Sequence, residues 1–304
     1  MPRLYQILIS ACLCLAIVMV GSQTEAKTEV MGRQPVLTIG LIPERNIFQQ
    51  LERYEPLADY ISKKIGINIK LKVLTRYGNI IENFASAHMD AAFFGSFTYA
   101  LAHSKLGVEA IARPEGIDGH STYYGLIFVR KDSGIKSIKE MQGKSFAFVD
   151  KATTAGYLLP LAYFKENQIK NYKKFFNETY FAGTHQDTVY DVLNNTADIG
   201  AAKNTMFYKL AADDRRITDE LVILKKSPHV PENGLAVRKN LDGSIKHKLK
   251  MALIYMHTDP VGINVLKKFG ARRFIETSND DYAGVYKYAR EIGLNLSTYD
   301  YINE

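Results

Sequence analysis

The segment Phe148-Val149-Asp150-Lys151-Ala152-Thr153-Thr154-Ala155-Gly156-Tyr157-Leu158-Leu159-Pro160 reads as a buried strand that ends in a carboxylate, passes two hydroxyls and a glycine, and opens a helix. Such a junction leaves the first N–H groups of the helix without intrahelical partners and all pointing one way. That arrangement receives anions, although Ser and Thr are also ordinary helix caps. Two further stretches repeat it. Phe94-Gly95-Ser96-Phe97-Thr98-Tyr99 runs strand, glycine, hydroxyls, helix, and Gly183-Thr184-His185-Gln186-Asp187 places an imidazole donor at a helix start. Arg76-Tyr77 follows a strand ending at Leu74. Of the adjacent pair Tyr123-Tyr124, one ring faces the core and the other the cleft, because neighbours on a strand point to opposite faces. Tyr124 is the expected ligand-facing residue, and Ser96 joins it from the Phe94–Tyr99 junction.

For catalysis the inventory is thin. No G-x-S-x-G, H-E-x-x-H or P-loop pattern occurs. His88, His103, His247 and His257 fall on expected helices without an evident acid or nucleophile partner, and no pair of carboxylates is spaced for acid–base work. An enzyme is therefore not expected. The 19 tyrosines raise a ferric-ion site, but the alternation just noted separates the Tyr123-Tyr124 pair. No metal and no cofactor is expected.

The elements that must hold these junctions alternate short apolar runs with helix-period segments, the pattern of an α/β fold with mainly parallel strands. Strands are expected at 36–42, 68–74, 91–94 and 108–112, then near 146–149, 180–182 and 199–201. Helices are expected at 55–65, 78–88 and 98–106, then from Ala155, Gln186 and Thr205. Two extended runs, 122–130 and 234–238, lie at the ends of the second series, and the C-terminus reads as mostly helical. Two crossings imply two α/β lobes joined by two hinge strands with a ligand cleft between them. Lobe 1 is then 27–125 plus 233–304, and lobe 2 is 126–232. Residues 1–26 read as a cleavable secretory signal, with Arg3 before an apolar run from Ile7 to Val20 and a small-x-small site at Thr24-Glu25-Ala26. Ile9-Ser10-Ala11-Cys12 resembles a lipoprotein signal, but the apolar stretch before Cys12 is short. Both cysteines, Cys12 and Cys14, lie in this segment, so the mature chain has no disulfide and no thiol nucleophile. The formal charge of +7 is carried by scattered lysine pairs, which suits a small anionic ligand better than nucleic acid.

Across nearly all of the mature chain, the sequence resembles the type II periplasmic binding proteins of phosphate, phosphite and phosphonate ABC importers. The likeness runs through LTIGLIPERN, YEPLADYISKKIGINIKL, DAAFFGSFTYA, YYGLIFVRKDSGIKSIKEMQGKSFAFVD, TTAGYLLP, GTHQDTVYDVLNNTADIGAA and SPHVPENGLAVRKNL. It implies a monomeric periplasmic protein that delivers a small oxyanion to an inner-membrane ABC permease; a periplasmic sensor of the same fold is the alternative. It also implies that Thr153, Thr154, Gly156, His185, Tyr77 and Tyr99 hold the oxyanion. Two departures matter. Ala155 stands where the family motif carries a third hydroxyl. Lys203-Asn204-Thr205 stands where binders of aminoalkyl phosphonates place acids for the ammonium, so an uncharged or anionic tail is expected, unless Glu115, Asp118 or Glu232 reaches the cleft from a loop.

Overall fold

Thirteen strands and eleven α-helices build the described part of the computed structural model, residues 36–86 and 89–303. The secretory signal expected at 1–26 lies outside these residues, as does His88. The first strand, β1 (Val36–Leu41), turns through Pro43 into α1 (Ile47–Ile65). Asn46 caps that helix, its side-chain oxygen accepting from the N–H of Phe48 and Gln49. The cap starts the helix eight residues earlier than the expected Glu55, and Pro56 is absorbed within it. Then come β2 (Asn68–Val73), α2 (Asn79–Ala85), β3 (Ala91–Phe94), α3 (Ser96–Leu106) and β4 (Glu109–Gly116).

The chain next crosses through β5 (Thr122–Tyr123) into β6 (Gly125–Arg130) and β7 (Ser145–Phe148). A π-helical turn at Thr154–Leu158 continues into α4 (Leu159–Glu166), followed by α5 (Tyr172–Phe175), β8 (Glu178–Phe181), α6 (His185–Leu193) and β9 (Ile199–Lys203). The series ends with α7 (Asn204–Asp213), α8 (Arg216–Glu220) and β10 (Leu221–Lys226). The return passes through β11 (Val230–Pro231) to β12 (Gly234–Val237), α9 (Gly243–Ile254), α10 (Pro260–Phe269), β13 (Ala271–Glu276) and α11 (Ala283–Glu291).

These strands form a six-stranded sheet, β13-β4-β12-β3-β1-β2, and a five-stranded sheet, β10-β6-β9-β7-β8. Both are mixed, which corrects the expectation of mainly parallel strands. β1 runs parallel to β2 and β3, but β12 is antiparallel to β3 and β4. Likewise β7 is parallel to β8 and β9, while β6 is antiparallel to β9 and β10. The 234–238 run is not a crossing. Its apolar residues occupy a fully buried strand inside the first sheet, and the returning crossing is the short β11, paired with β5.

Three strands were not expected: β10, β11 and β13. β10 and β13 are edge strands, and β13 alternates buried Ala271 and Phe274 with exposed Arg272 and Arg273, a pattern that local reading takes for a charged helix face. Apolar clusters fill both faces of each sheet. Helices therefore start at the C-terminal ends of β3, β8 and β9, with the π-turn beyond β7, where ligands of open α/β sheets bind.

Candidate functional site

The loop after β7 is held by its own carboxylate. Asp150 Oδ1 accepts the Ala152 N–H at 2.8 Å, and its backbone oxygen accepts both the Thr153 N–H (2.9 Å) and the Thr153 hydroxyl (2.7 Å). Burial pushes the Asp150 carboxyl up to about 6, against the opposing bonds from Ala152 and from Asn303, whose Nδ2 donates at 3.0 Å. Neither threonine caps the helix it precedes. Instead Thr154 Oγ1 accepts the Phe97 N–H at 2.8 Å, reaching the first turn of α3 from the opposite sheet. A second bond, Thr98 Oγ1 to Ala152 O at 2.8 Å, runs alongside. The π-turn widens the helix start and carries a bond from Leu158 N–H to Thr153 O.

At the end of β8, Thr184 caps α6 by accepting the Asp187 N–H at 2.9 Å, which frees His185 from any capping role. His185 is buried, and its Nδ1 lies 3.3 Å from the Lys203 N–H. A backbone N–H can only donate, so Nδ1 is the acceptor and the neutral ring carries its proton on Nε2. Burial lowers the imidazole to about 4, with Lys203 acting the same way against Glu44. His185 is therefore a fixed neutral donor. The Tyr77 ring meets it edge-on at 6.1 Å. Tyr77 itself is 2% exposed, and its hydroxyl has no hydrogen-bond partner among the described residues. Burial, helped by Glu44 and Asp150, raises that phenol well above its ordinary value, so it too is a neutral donor.

The structure thus brings Tyr77, Thr154 and His185 together, with Thr153 in the same turn and Ser96 beside it. The Ser96 hydroxyl is committed to Pro231 O at 2.5 Å. Three expected residues lie elsewhere or act differently. Tyr99 packs on Tyr282 at 4.1 Å and turns its hydroxyl to Asn279, because α3 buries that face in the first sheet's core. Tyr124 faces His229, at 5.0 Å, on the far side of its strand; the inward ring is Tyr123, whose hydroxyl meets those of Thr154 and Ser96. Gly156 serves packing, since a Cβ there would sit 2.4 Å from the Val149 side chain.

Three residues, Glu44, Asn233 and Tyr123, escaped the sequence reading, and a fourth, Glu232, is the one of the three loop acids that reaches Lys203. Glu44, just beyond the end of β1, is buried and accepts from Lys203 Nζ at 3.1 Å. Glu232 also takes the Lys203 ammonium. Asn233 accepts it through Oδ1 at 3.3 Å, leaving its buried Nδ2 unpartnered among the described residues. Tyr123 lies beneath, its ring centroid 4.4 Å from Nζ. Glu44 was findable: it follows a strand end as the other site residues do. Burial pushes its carboxyl up, yet Lys203, Arg53 and His185 together hold it down at about 2. Glu115 makes no contact with this group, whereas Asp118 lines the same cavity as Glu44, Lys203 and Glu232. The first is forked to Arg273 and the second accepts the His120 N–H.

The opposed shifts of His185 and Asp150 make a pH prediction. An unfolded histidine binds protons below about 6.5 that folded His185 refuses down to about 4, so its contribution to stability is lost as pH falls through that window, by up to roughly 3 kcal/mol. Asp150, whose folded carboxyl holds its proton up to about 6 against 3.8 unfolded, acts in the opposite sense over nearly the same range. Urea titrations of wild type should therefore give similar stability at pH 4.5 and 6. His185→Gln should become more stable toward pH 4.5; equal slopes for the two proteins would show that His185 is not buried neutral.

A family model described as the periplasmic substrate-binding protein of phosphonate ABC transporters matches residues 39–282. The chain belongs to that family. Among the phosphonate-transporter binding proteins, the phosphate-import protein PhnD of Mycolicibacterium smegmatis is 28% identical over 254 residues, covering 79% of this chain and 78% of that protein. A binding-protein component of an ABC phosphonate transporter from Pseudomonas aeruginosa superposes with a TM-score of 0.80 at 23% identity, over 86% of this chain and 87% of that one. PhnD1 from Prochlorococcus marinus, in complex with methylphosphonate, superposes with a TM-score of 0.76 at 21% identity, over 86% and 99%. These likenesses identify the fold as that of the two-lobed type II periplasmic binding proteins. Family members of this kind bind substrate for a transporter and are not enzymes. Among the described residues no helix is long and apolar enough to cross a membrane.

Proposed function

We propose that this protein captures a phosphonate, phosphite or phosphate oxyanion between its two lobes and delivers it to an ABC permease in the inner membrane. It works in the periplasm as a monomeric carrier without catalysis. The observation that carries this reading is the meeting of two neutral buried donors, the Tyr77 hydroxyl with no partner among the described residues and His185 with its proton on Nε2, in a site where Thr154 Oγ1 accepts the Phe97 N–H and so joins the two sheets. Phosphate imported by the mycobacterial relative and methylphosphonate held by the cyanobacterial one support the ligand class. Each bond from such a donor to an ionised oxygen contributes about 1.5–3 kcal/mol, enough together for micromolar affinity after the losses of association. The lobes divide at the β5–β11 ribbon, with 27–125 plus 233–304 on one side and 126–232 on the other.

Residues 27–304 can be screened by thermal shift against phosphate, phosphite and methylphosphonate. A ligand at 100 times its dissociation constant stabilises by about 2.7 kcal/mol. No shift with any of the three would reject the reading.

A further inference from the structure

Lys203 is the one buried lysine in the group just described, and its surroundings are those of a ligand's ammonium. Its side chain is 5% exposed, and its ammonium sits 3.1 Å from Glu44, contacts Glu232, donates to Asn233 Oδ1 at 3.3 Å and lies over the Tyr123 ring at 4.4 Å. Two carboxylates, an amide oxygen and an aromatic face are the groups that recognise a primary amine. Glu44 is further engaged by Arg53 at 3.8 Å, so both carboxylates already have a cation beside them.

The cage is also continuous with the oxyanion donors. The Lys203 backbone N–H holds His185 Nδ1, and the ring beneath its ammonium is that of Tyr123, whose hydroxyl meets Thr154. We infer that Lys203 acts as a built-in counter-ion that fills an amine-binding cage from within, and so restricts the site to phosphorus oxyanions that carry no ammonium.

This inference rests on the oxyanion reading above and adds its selectivity. An incoming ammonium would find both carboxylates already paired, would add an uncompensated charge to a buried cluster, and would meet Lys203 itself. A tail without charge asks nothing of the cage. Removing the lysine side chain reverses the logic: the carboxylates are left unpaired, and a ligand ammonium of suitable reach restores the balance. The substrate class follows from the chain's own charge and not from the absence of acids.

Calorimetric titration of ethylphosphonate and 2-aminoethylphosphonate tests it, because the two differ by the amine alone. Wild type should bind the amine-free ligand at least ~10-fold tighter. Lys203→Ala should shift the ratio of the two dissociation constants toward the amine by ~100-fold or more. The triple variant Lys203→Ala, Glu44→Gln, Glu232→Gln should lose that gain, since the cage then offers no charge. A folded Lys203→Ala protein with the wild-type ratio overturns the inference while leaving the oxyanion reading intact. If that variant does not fold, the wild-type ratio decides, and a ratio near one or favouring the amine overturns the inference. Binding of neither ligand by wild type overturns the inference, and titration of phosphate, phosphite and methylphosphonate against the same preparation then decides separately whether the oxyanion reading stands.

Discussion

Glu44→Ala should destabilise the unliganded protein by about 3 kcal/mol or more, the cost of stranding a buried charge when its partner is removed. Lys203 keeps Glu232 and Asn233 in the variant, so the loss belongs at the low end of the 3–5 kcal/mol that a broken buried pair typically costs. The double variant Glu44→Leu, Lys203→Met should recover most of it, because apolar groups of similar volume need no counter-charge. Glu44 also marks acid unfolding. Its carboxyl is held at about 2 when folded and 4.5 when unfolded, so its contribution is present above pH 4.5 and fades as pH falls toward 2. Chemical denaturation at pH 7 and pH 3 measures both effects. Equal destabilisation by Glu44→Ala at the two pH values would show that the ion pair contributes nothing.

Tyr77→Phe should move stability and binding in opposite directions. The Tyr77 hydroxyl is buried with no partner among the described residues, and such a group costs about 1–3 kcal/mol. Phenylalanine removes that cost without changing the ring, so the unliganded variant should melt higher. The same change deletes a donor to a charged oxygen, worth about 1.5–3 kcal/mol, so phosphonate binding should weaken by ~10- to 100-fold. A variant that binds methylphosphonate as wild type does would place the hydroxyl outside the site. One that melts lower would show that the hydroxyl has a partner in the free protein.

Most of the architecture was legible because its signals are local. The β-strands carrying Ala91–Phe94 and Ile199–Lys203, and the helix starts at Ser96 and His185, announce themselves within ten residues of sequence. Thr153, Thr154, His185 and Tyr77 could be singled out for the same reason: each follows the end of a strand. What was not legible depends on the partner sheet. Alternation says that Tyr123 and Tyr124 face apart, but only the packing of β5 against Ser96 and Thr154 decides which faces inward. Gly156 reads equally well as an opening for a ligand or as room for a neighbour, and Val149 settles it. The cage around Lys203 joins residues 159 and 29 positions apart, a distance no window of sequence spans.

The insertion of β12 between β3 and β4 bears on how the chain can be made. All strands of the five-stranded sheet lie within 125–226, so that sheet can assemble as soon as its own segment has been synthesised. The six-stranded sheet cannot. Its central strand, Gly234–Val237, arrives after the other sheet is complete, and until then β3 and β4 each present an unpaired apolar edge. Unpaired edges recruit other chains. Chains interrupted before residue 237 should therefore aggregate through the N-terminal strands, and the full-length protein avoids this only by keeping its own middle out of the way until the missing strand is delivered.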